Sequence, residues 1–413
     1  MKNSKQIDAK FNPNAFGILQ ERGFIQITSH TEELKKALAE KPLTFYLGID
    51  PTADDMHIGH FFALLVFKIL QDCGHRGILV LGGGTAQIGD PSFKNDTRKL
   101  MPAAEIDKNL VSIKKILQNF IDIDKTIFVN NADWLRPRGY IEFMQEVGTH
   151  FNVAKMIAND CYKTRLREGG LTFFEMGYML MQAYDFVYLN DKYGCTLQIG
   201  GSDQFGNILA GVELGRKLSL ADGRARPLMF GLSNPLLTKA DGTKMGKTEK
   251  GALWISSKKT SVYDFYQYFV NTADEDVERL LRFFTMIPLG EVSDLCKKDI
   301  ISAKKLMAFE VTKKIHGEAA AAAARNAAEQ LFSGSAHTEN APTETVSLKA
   351  GTSLVDILAL TSIIKSKREA RELVESGAIL VDNVKVTDIN YIVTKPEFLL
   401  KKGKKTFLRI KLK

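Results

Sequence analysis

Between residue 44 and about residue 235, short β-branched runs alternate with longer segments of helical periodicity, and this alternation restricts the fold more than any other feature of the chain. The runs are "TFYLGI", "RGILVLGGG", "KTIFVNN" and "CTLQIGG". Between the first two lies "HIGHFFALLVFKILQDCG", whose apolar residues recur at the spacing of a helix face. Strands that alternate with helices predict an α/β domain built on a doubly wound, parallel, Rossmann-type sheet. Ligands of such sheets bind beyond the carboxyl ends of the strands, where Asp50, Gly82 to Gly84 and Gly200 to Asp203 fall.

From about residue 260 to 332 the pattern is purely helical, as in "SVYDFYQYFVNT", "DVERLLRFFTMI" and "SAKKLMAFEVTKKIHGE". The six alanines Ala319 to Ala324 predict a plain solvent-facing helix, since alanine is the strongest helix former. Residues 333–346, "SGSAHTENAPTETV", are small and polar and predict a linker. Beyond it, residues 347–413 predict a compact α+β module: two short helices, a glycine stop at Gly377, and a β-hairpin turned by Asp382-Asn383. The expected domains are therefore 1–248, 249–332 and 347–413, with 333–346 between the last two.

Charge is concentrated in that last module. Residues 347–413 hold fourteen Lys or Arg against seven Asp or Glu, which is +7 of the net +8 carried by all 413 residues. A basic module on a near-neutral body is the electrostatic footprint of a nucleic-acid contact; the alternative is a solubilising tail. No apolar run approaches the roughly 20 residues of a membrane span. The polar start "MKNSKQIDAKFNPN" lacks the apolar core of a signal peptide, so a cytoplasmic protein is expected. Cys73, Cys161, Cys195 and Cys296 are scattered and form no CxxC pair, which predicts reduced thiols and no zinc site.

Two clusters suit phosphate chemistry. His57 and His60 stand i, i+3 at an expected helix N-terminus, where unpaired N–H groups and the helix dipole favour an anion. Gly59 between them lets a nucleotide approach the backbone, and Thr52 adds a hydroxyl. Far along the chain, "KADGTKMGKT" places Lys244, Lys247 and Thr248 after a glycine-punctuated loop, and "GDPSFKNDTRK" adds Lys94 and Arg98. Cations that meet a triphosphate as charge builds on it accelerate the chemical step; an exposed basic loop is the plainer reading.

"HIGH" at 57–60 and "KMGKT" at 244–248 resemble the two signatures of class I aminoacyl-tRNA synthetases. "YLGIDPTADDMHIGH", "GGGTAQIGDPS", "YMLMQAYDF" and "LQIGGSDQFGN" are similar, block by block and in order, to the bacterial tyrosyl-tRNA synthetases. The similarity extends through the helical region to a C-terminal module that resembles the S4 RNA-binding fold. It implies an enzyme that joins L-tyrosine to ATP, releasing pyrophosphate, and passes the tyrosyl group to tRNA(Tyr). Mg2+ would travel with ATP rather than in a protein cage, and a homodimer is implied.

The same resemblance assigns roles by position. Tyr46 and Asp185 match residues that hold the substrate phenol; Asp90, Tyr178 and Gln182 match those that hold its ammonium group. Gln204 matches a contact near the reacting carboxyl and Asp203 one to the ribose. Gly48, Asp50, Thr52 and Gly59 line the implied ATP site, with His57, His60, Lys244 and Lys247 on its phosphates. Lys94, Arg98 and Thr248 complete the implied catalytic set. The chain departs from the family pattern at Leu47, where cysteine is common, and at Ala86 and Phe93, where glycines are usual. No insertion is long enough for an editing domain. A nucleotidyltransferase of the same fold would lack the helical and basic parts; a non-catalytic RNA-binding relative would keep them and lose the catalytic set. Tryptophan is the nearest rival substrate, disfavoured by the Tyr46 and Asp185 pair.

Overall fold

The structure is a computed structural model and describes residues 11–91, 101–168, 170–248, 251–333, 343–364, 366–403 and 406–413. It separates into two compact units, one of residues 1–260 with 272–307, the other of 261–271 with 308–413.

The first unit is organised by a six-stranded sheet. Its strands are β1 (Ile27–Thr28), β2 (Thr44–Ile49), β3 (Arg76–Leu81), β4 (Thr126–Asn130), β5 (Cys195–Gly201) and β6 (Phe230–Asn234). They lie in the order β1-β6-β5-β2-β3-β4, all parallel except β1, which runs against β6. The chain winds outward through β2, β3 and β4, then returns to place β5 on the other side of β2. The winding therefore reverses between β2 and β5, where Tyr46 stands opposite Gln198. β1 escapes sequence reading because two residues carry no periodicity.

Helix Ile58–Asp72 follows β2 and buries Phe61, Phe62, Val66, Phe67 and Leu70. Phe67 packs against Phe45 of β2, with ring centroids 4.9 Å apart and planes at 60°, and its ring fills the place where a side chain on Gly77 would stand: a Cβ there would lie 2.2 Å from Phe67. Gly77→Ala on β3 would require the Phe67 ring to shift. On the same helix, Phe62 meets Phe24 and Phe283 at 5.3 and 4.8 Å. Arg22 seals this cluster by donating to the carbonyls of Arg282, Thr285 and Ile287, at the end of helix Asp274–Phe284. That helix thus belongs with the sheet, and the helical region expected at 249–332 is divided between the two units.

In the second unit, helix Glu318–Ser333 packs against helix Val262–Val270. Ala321, Ala324, Ala327 and Ala328 are buried, so the alanine tract is not the solvent-facing helix expected of it: recurring at helical spacing, these methyl groups form a narrow face that lets another helix come close. A five-stranded sheet holds Val384–Val386, Ile379–Val381, Glu397–Lys402, Thr406–Leu412 and Thr343–Val346, in that order. The hairpin turn is as expected, with Asp382 and Asn383 both at positive φ (47° and 66°), the geometry of a two-residue I′ turn, and Gly377 at φ 65° stops the preceding helix. The expected linker is shorter than 333–346. Thr343–Val346 pairs in parallel with the last strand through backbone groups, which a polar "TETV" supplies as well as an apolar run does. Residues 334–342 lie outside the described residues. Tyr263 packs on Leu399 and Phe407, an apolar anchor that the sequence did not suggest. Among the described residues, no helix is long and apolar enough to cross a membrane.

Candidate active site

A cavity of about 680 Å³ opens at the carboxyl ends of β2 and β5, at the reversal of the winding. Tyr46, Gly48, Asp50, Thr52, His57, Gly59, His60, Asp90, Tyr178, Gln182, Asp185, Asp203, Gln204 and Lys244 all line it. Lys94, Arg98 and Phe93 lie outside the described residues. Lys247 and Thr248 form a short strand paired with Gly251–Ala252, and their side chains are not described.

The buried end is set by β2 and helix Phe173–Tyr193. Thr172 and Glu175 cap that helix reciprocally, and its burial of Tyr178 and Asp185 follows from their seven-residue spacing, two turns on one face. Tyr46 is 1% exposed, and its hydroxyl has no hydrogen-bond partner. Burial, then the nearby Asp185 charge, pushes its pKa well above the ordinary phenol value. Asp185 accepts from Asn131 Nδ2 at 2.9 Å and from Trp134 Nε1 at 2.7 Å. Burial nevertheless raises its carboxyl to about 7, against the pull of those two donors. Gln182 Oε1 and Gln198 Oε1 are also buried without partners. A pocket end lined with unpartnered polar atoms is suited to a ligand that is itself polar at its tip.

Toward the opening, carboxylates gather. Tyr178 donates to Asp50 Oδ2 at 2.9 Å, Thr85 donates to Asp50 Oδ1 at 2.7 Å, and Asn131 donates to Thr85 at 3.0 Å. Asn131 therefore joins Asp50 and Asp185 in one network. Gly82 makes room for it, since a Cβ there would lie 1.9 Å from Asp50 Oδ1. Gln204 donates to Asp90. Asp203 is raised to about 6 by burial first and Asp90 second, with Lys244 opposing. Such a cluster of anions favours a cationic group of the ligand. Among the described residues, no three His, Cys, Asp or Glu come together as a metal site.

The two histidines of "HIGH" cap each other. His57 Nδ1 accepts from the backbone N–H of Gly59 at 3.1 Å and of His60 at 3.4 Å, while His60 Nδ1 accepts from the backbone N–H of His57 at 3.3 Å. Their rings stack 3.8 Å apart, 13° from parallel. A nitrogen that accepts carries no proton, so Nε2 of each ring bears the hydrogen and is a donor. Burial holds His57 below the ordinary imidazole value and takes His60 down to about 3, so both rings are neutral at pH 7. Gly59 has a second reason beyond ligand approach, because a Cβ would stand 3.0 Å from the His57 ring.

The "KMGKT" loop is fastened to this helix start. Gly246, at φ 88°, lies where a Cβ would come 2.5 Å from Ile58, and the loop's continuation runs antiparallel to the approach to His57. Lys244 lines the cavity with the histidines, so two signatures far apart in sequence face one space. Thr85, Asn131, Trp134, Gln198 and Trp254 were not singled out from the sequence. Asn131 was within reach, since it directly follows β4 at its carboxyl end, and Thr85 sits in the glycine-rich turn after β3.

Residues 38–333 match the family of class I tRNA synthetases (W and Y), and residues 335–410 match the tyrosine--tRNA ligase SYY-like C-terminal domain. The chain is 47% identical to a tyrosine--tRNA ligase of Clostridium botulinum, over 96% of this chain and 99% of that protein. It is also 47% identical to one of Clostridium kluyveri, over 97% and 100%. Its structure resembles a C-terminally truncated Aspergillus nidulans mitochondrial tyrosyl-tRNA synthetase with a TM-score of 0.68 and 29% identity, covering 77% of this chain and 94% of that one.

Proposed function

The chain belongs to the class I tRNA synthetase family of the tryptophan and tyrosine enzymes, and we propose that it is a tyrosine–tRNA ligase whose two reactions share the cavity at the β2–β5 reversal. The observation that carries this reading is that an unpartnered Tyr46 hydroxyl and the Asp185 carboxylate stand near each other at the buried end. A phenol both donates and accepts, so a tyrosine side chain donates a hydrogen bond to Asp185 and accepts one from Tyr46. Phenylalanine leaves the Tyr46 hydroxyl unpaired and sets an apolar ring edge against the Asp185 carboxylate, which then keeps only its Asn131 and Trp134 donors; indole, a donor without an acceptor oxygen, leaves Tyr46 unpaired.

The remaining residues order themselves around that anchor. Asp90, Tyr178 and Gln182 receive the ammonium group, and Gln204, through its bond to Asp90, holds it in register with the carboxyl. Asp50, Thr52, Gly48 and Asp203 frame the nucleotide. The tyrosine carboxylate attacks the α-phosphorus of ATP; a new P–O bond forms, the bond to the bridging oxygen breaks, and pyrophosphate leaves. His57 and His60, as neutral Nε2–H donors at a helix N-terminus, stabilise the developing charge, and Lys244, Lys247, Lys94 and Arg98 neutralise the departing pyrophosphate. Mg2+ enters as part of the ATP substrate. The 3′-terminal ribose hydroxyl of tRNA(Tyr) then displaces AMP. The basic C-terminal module grips that tRNA.

We also infer a cytoplasmic homodimer. Tyr140 and Ile141 (each 67% exposed), Val153 and Phe173 supply exposed apolar surface between β4 and helix Phe173–Tyr193 that a second copy would cover. The deciding experiment is amino-acid-dependent ATP–pyrophosphate exchange with all twenty amino acids, followed by charging of tRNA. Exchange driven by tyrosine is expected, and exchange driven by another amino acid overturns the assignment.

A further inference from the structure

The segment after the "KMGKT" loop is laid along the approach to the "HIGH" helix by backbone hydrogen bonds, from Ile58 to Leu253 at 3.0 Å and from Ile255 to Met56 at 2.9 Å. These bring Trp254 opposite His57, with ring centroids 6.4 Å apart and planes at 52°. The Lys259 ammonium lies 4.3 Å from the centre of the same indole and pairs with Asp54, three residues before His57. Lys259 is itself held by a short turn, in which its N–H donates to Ser256 O at 3.1 Å and Trp254 N–H donates to Thr260 Oγ1 at 3.1 Å.

The Lys259 and Asp54 side chains are 35% and 54% exposed, so the ion pair adds little to stability. Its effect is geometric. A cation held against the ring by its own carboxylate partner favours one orientation of the indole, and the indole in turn bounds the space open to the His57 imidazole.

We propose that Lys259 is a positioning residue for His57: with Asp54 it pins Trp254, and Trp254 confines the imidazole to the orientation that offers Nε2–H to the α-phosphate. This rests on reading His57 as a phosphate contact. It makes the segment beyond the loop, as well as the loop's own lysines, part of the device for adenylate formation.

The test uses the full chain and pyrophosphate exchange. Lys259→Met should lower kcat roughly 10-fold, the scale expected for a slightly misplaced catalytic group, and leave KM for tyrosine unchanged. Lys259→Arg, which keeps both the ring contact and the ion pair, should restore most of the rate. In a His57→Asn chain, where the helix cap survives but the imidazole is gone, Lys259→Met should cost nothing further. Equal losses in both backgrounds, or an unchanged kcat, overturn the proposal. The chain has two tryptophans, so Trp134→Phe leaves Trp254 as the sole indole reporter. Titration with Mg-ATP should change its emission, and Lys259→Met should abolish or weaken that response at least 5-fold in ATP concentration. A chain without tyrosine-dependent exchange defeats the functional reading alone, and the titration then decides: a response lost on Lys259→Met supports the proposal, and a response unchanged by it overturns it.

Discussion

The indole N–H of Trp134 donates to Asp185 Oδ1 at 2.7 Å, one of two donors that hold this buried carboxylate. Trp134→Phe keeps the aromatic packing on Tyr188 but removes the donor. A hydrogen bond to a charged group is worth about 1.5–3 kcal/mol, so KM for tyrosine should rise roughly 10-fold or more while KM for ATP stays near its original value. Steady-state exchange kinetics check this; equal tyrosine KM values would show that Asn131 alone suffices.

A pH dependence follows from the same carboxyl. Asp185 must be ionised to accept the substrate phenol, and burial sets its pKa at about 7. kcat/KM for tyrosine should therefore fall as the pH drops from 8 to 6, with a profile that reports the free enzyme. The stability effect has the opposite sign. Between the ordinary 3.8 and about 7, the folded chain holds a proton that the unfolded chain releases, so this group's contribution to stability declines as pH rises through that window and is level above it. A flat kcat/KM profile from pH 6 to 8 would contradict the assignment of Asp185.

Tyr46 and Asp185 divide the phenol between them. Asp185→Ala should abolish measurable tyrosine activation. Tyr46→Phe removes one neutral hydrogen bond and should erode the preference for tyrosine over phenylalanine by about 1–2 kcal/mol. Comparing kcat/KM for the two amino acids measures it; an unchanged ratio would make Tyr46 a packing residue only.

His57→Ala or His60→Ala should slow adenylate formation by roughly 10²-fold while tyrosine affinity changes little. Because each imidazole also caps the helix start, both variants should lose about 1 kcal/mol of stability as well. Single-turnover activation and equilibrium unfolding, measured side by side, separate the two effects; activation at the original rate in both variants would remove the histidines from the mechanism.

A chain ending at Ser333 should retain tyrosine-dependent exchange and charge tRNA poorly. The cut belongs before Thr343, since Thr343–Val346 is a strand of the C-terminal sheet, and it exposes the face of Tyr263 that packs on Leu399 and Phe407. Modest loss of solubility is thus expected along with a shallower dependence of tRNA affinity on salt, because up to fourteen cationic side chains are lost. Equal charging and equal salt slopes in the two chains would make the module a solubilising tail.

The strands around the site were legible because buried parallel strands read as continuous apolar runs: "TFYLGI" and "CTLQIGG" coincide with β2 and β5. The strand-end rule then led to Asp50 and Asp203. What escaped were side chains whose importance lies in whom they touch. Asn131 is an ordinary polar residue until its bonds to Thr85 and Asp185 are seen, and Trp134 looks like a core aromatic until its N–H finds a carboxylate. Nor does a sequence reveal that two histidines spend one nitrogen each on the other's backbone, which fixes which nitrogen is left to donate. The alanine tract misled for a related reason, because propensity says that a helix forms and nothing about what lies against it.

The pairing of β2 with β5 also bears on when the protein can first bind anything. Tyr46 and Asp50 emerge early in synthesis, but Asp185, Gln198 and Asp203 belong to chain made about 135 to 157 residues later. Until Cys195–Gly201 has left the ribosome and inserted beside β2, the half-built sheet has an open edge where the pocket wall belongs. A nascent chain arrested before that point can hold helix and strand yet retain no ligand, and Asp203, Gln204 and Lys244, which also line the cavity, follow later still. Ligand capture by stalled chains of graded length would therefore register the stretch of synthesis over which the pocket wall is completed.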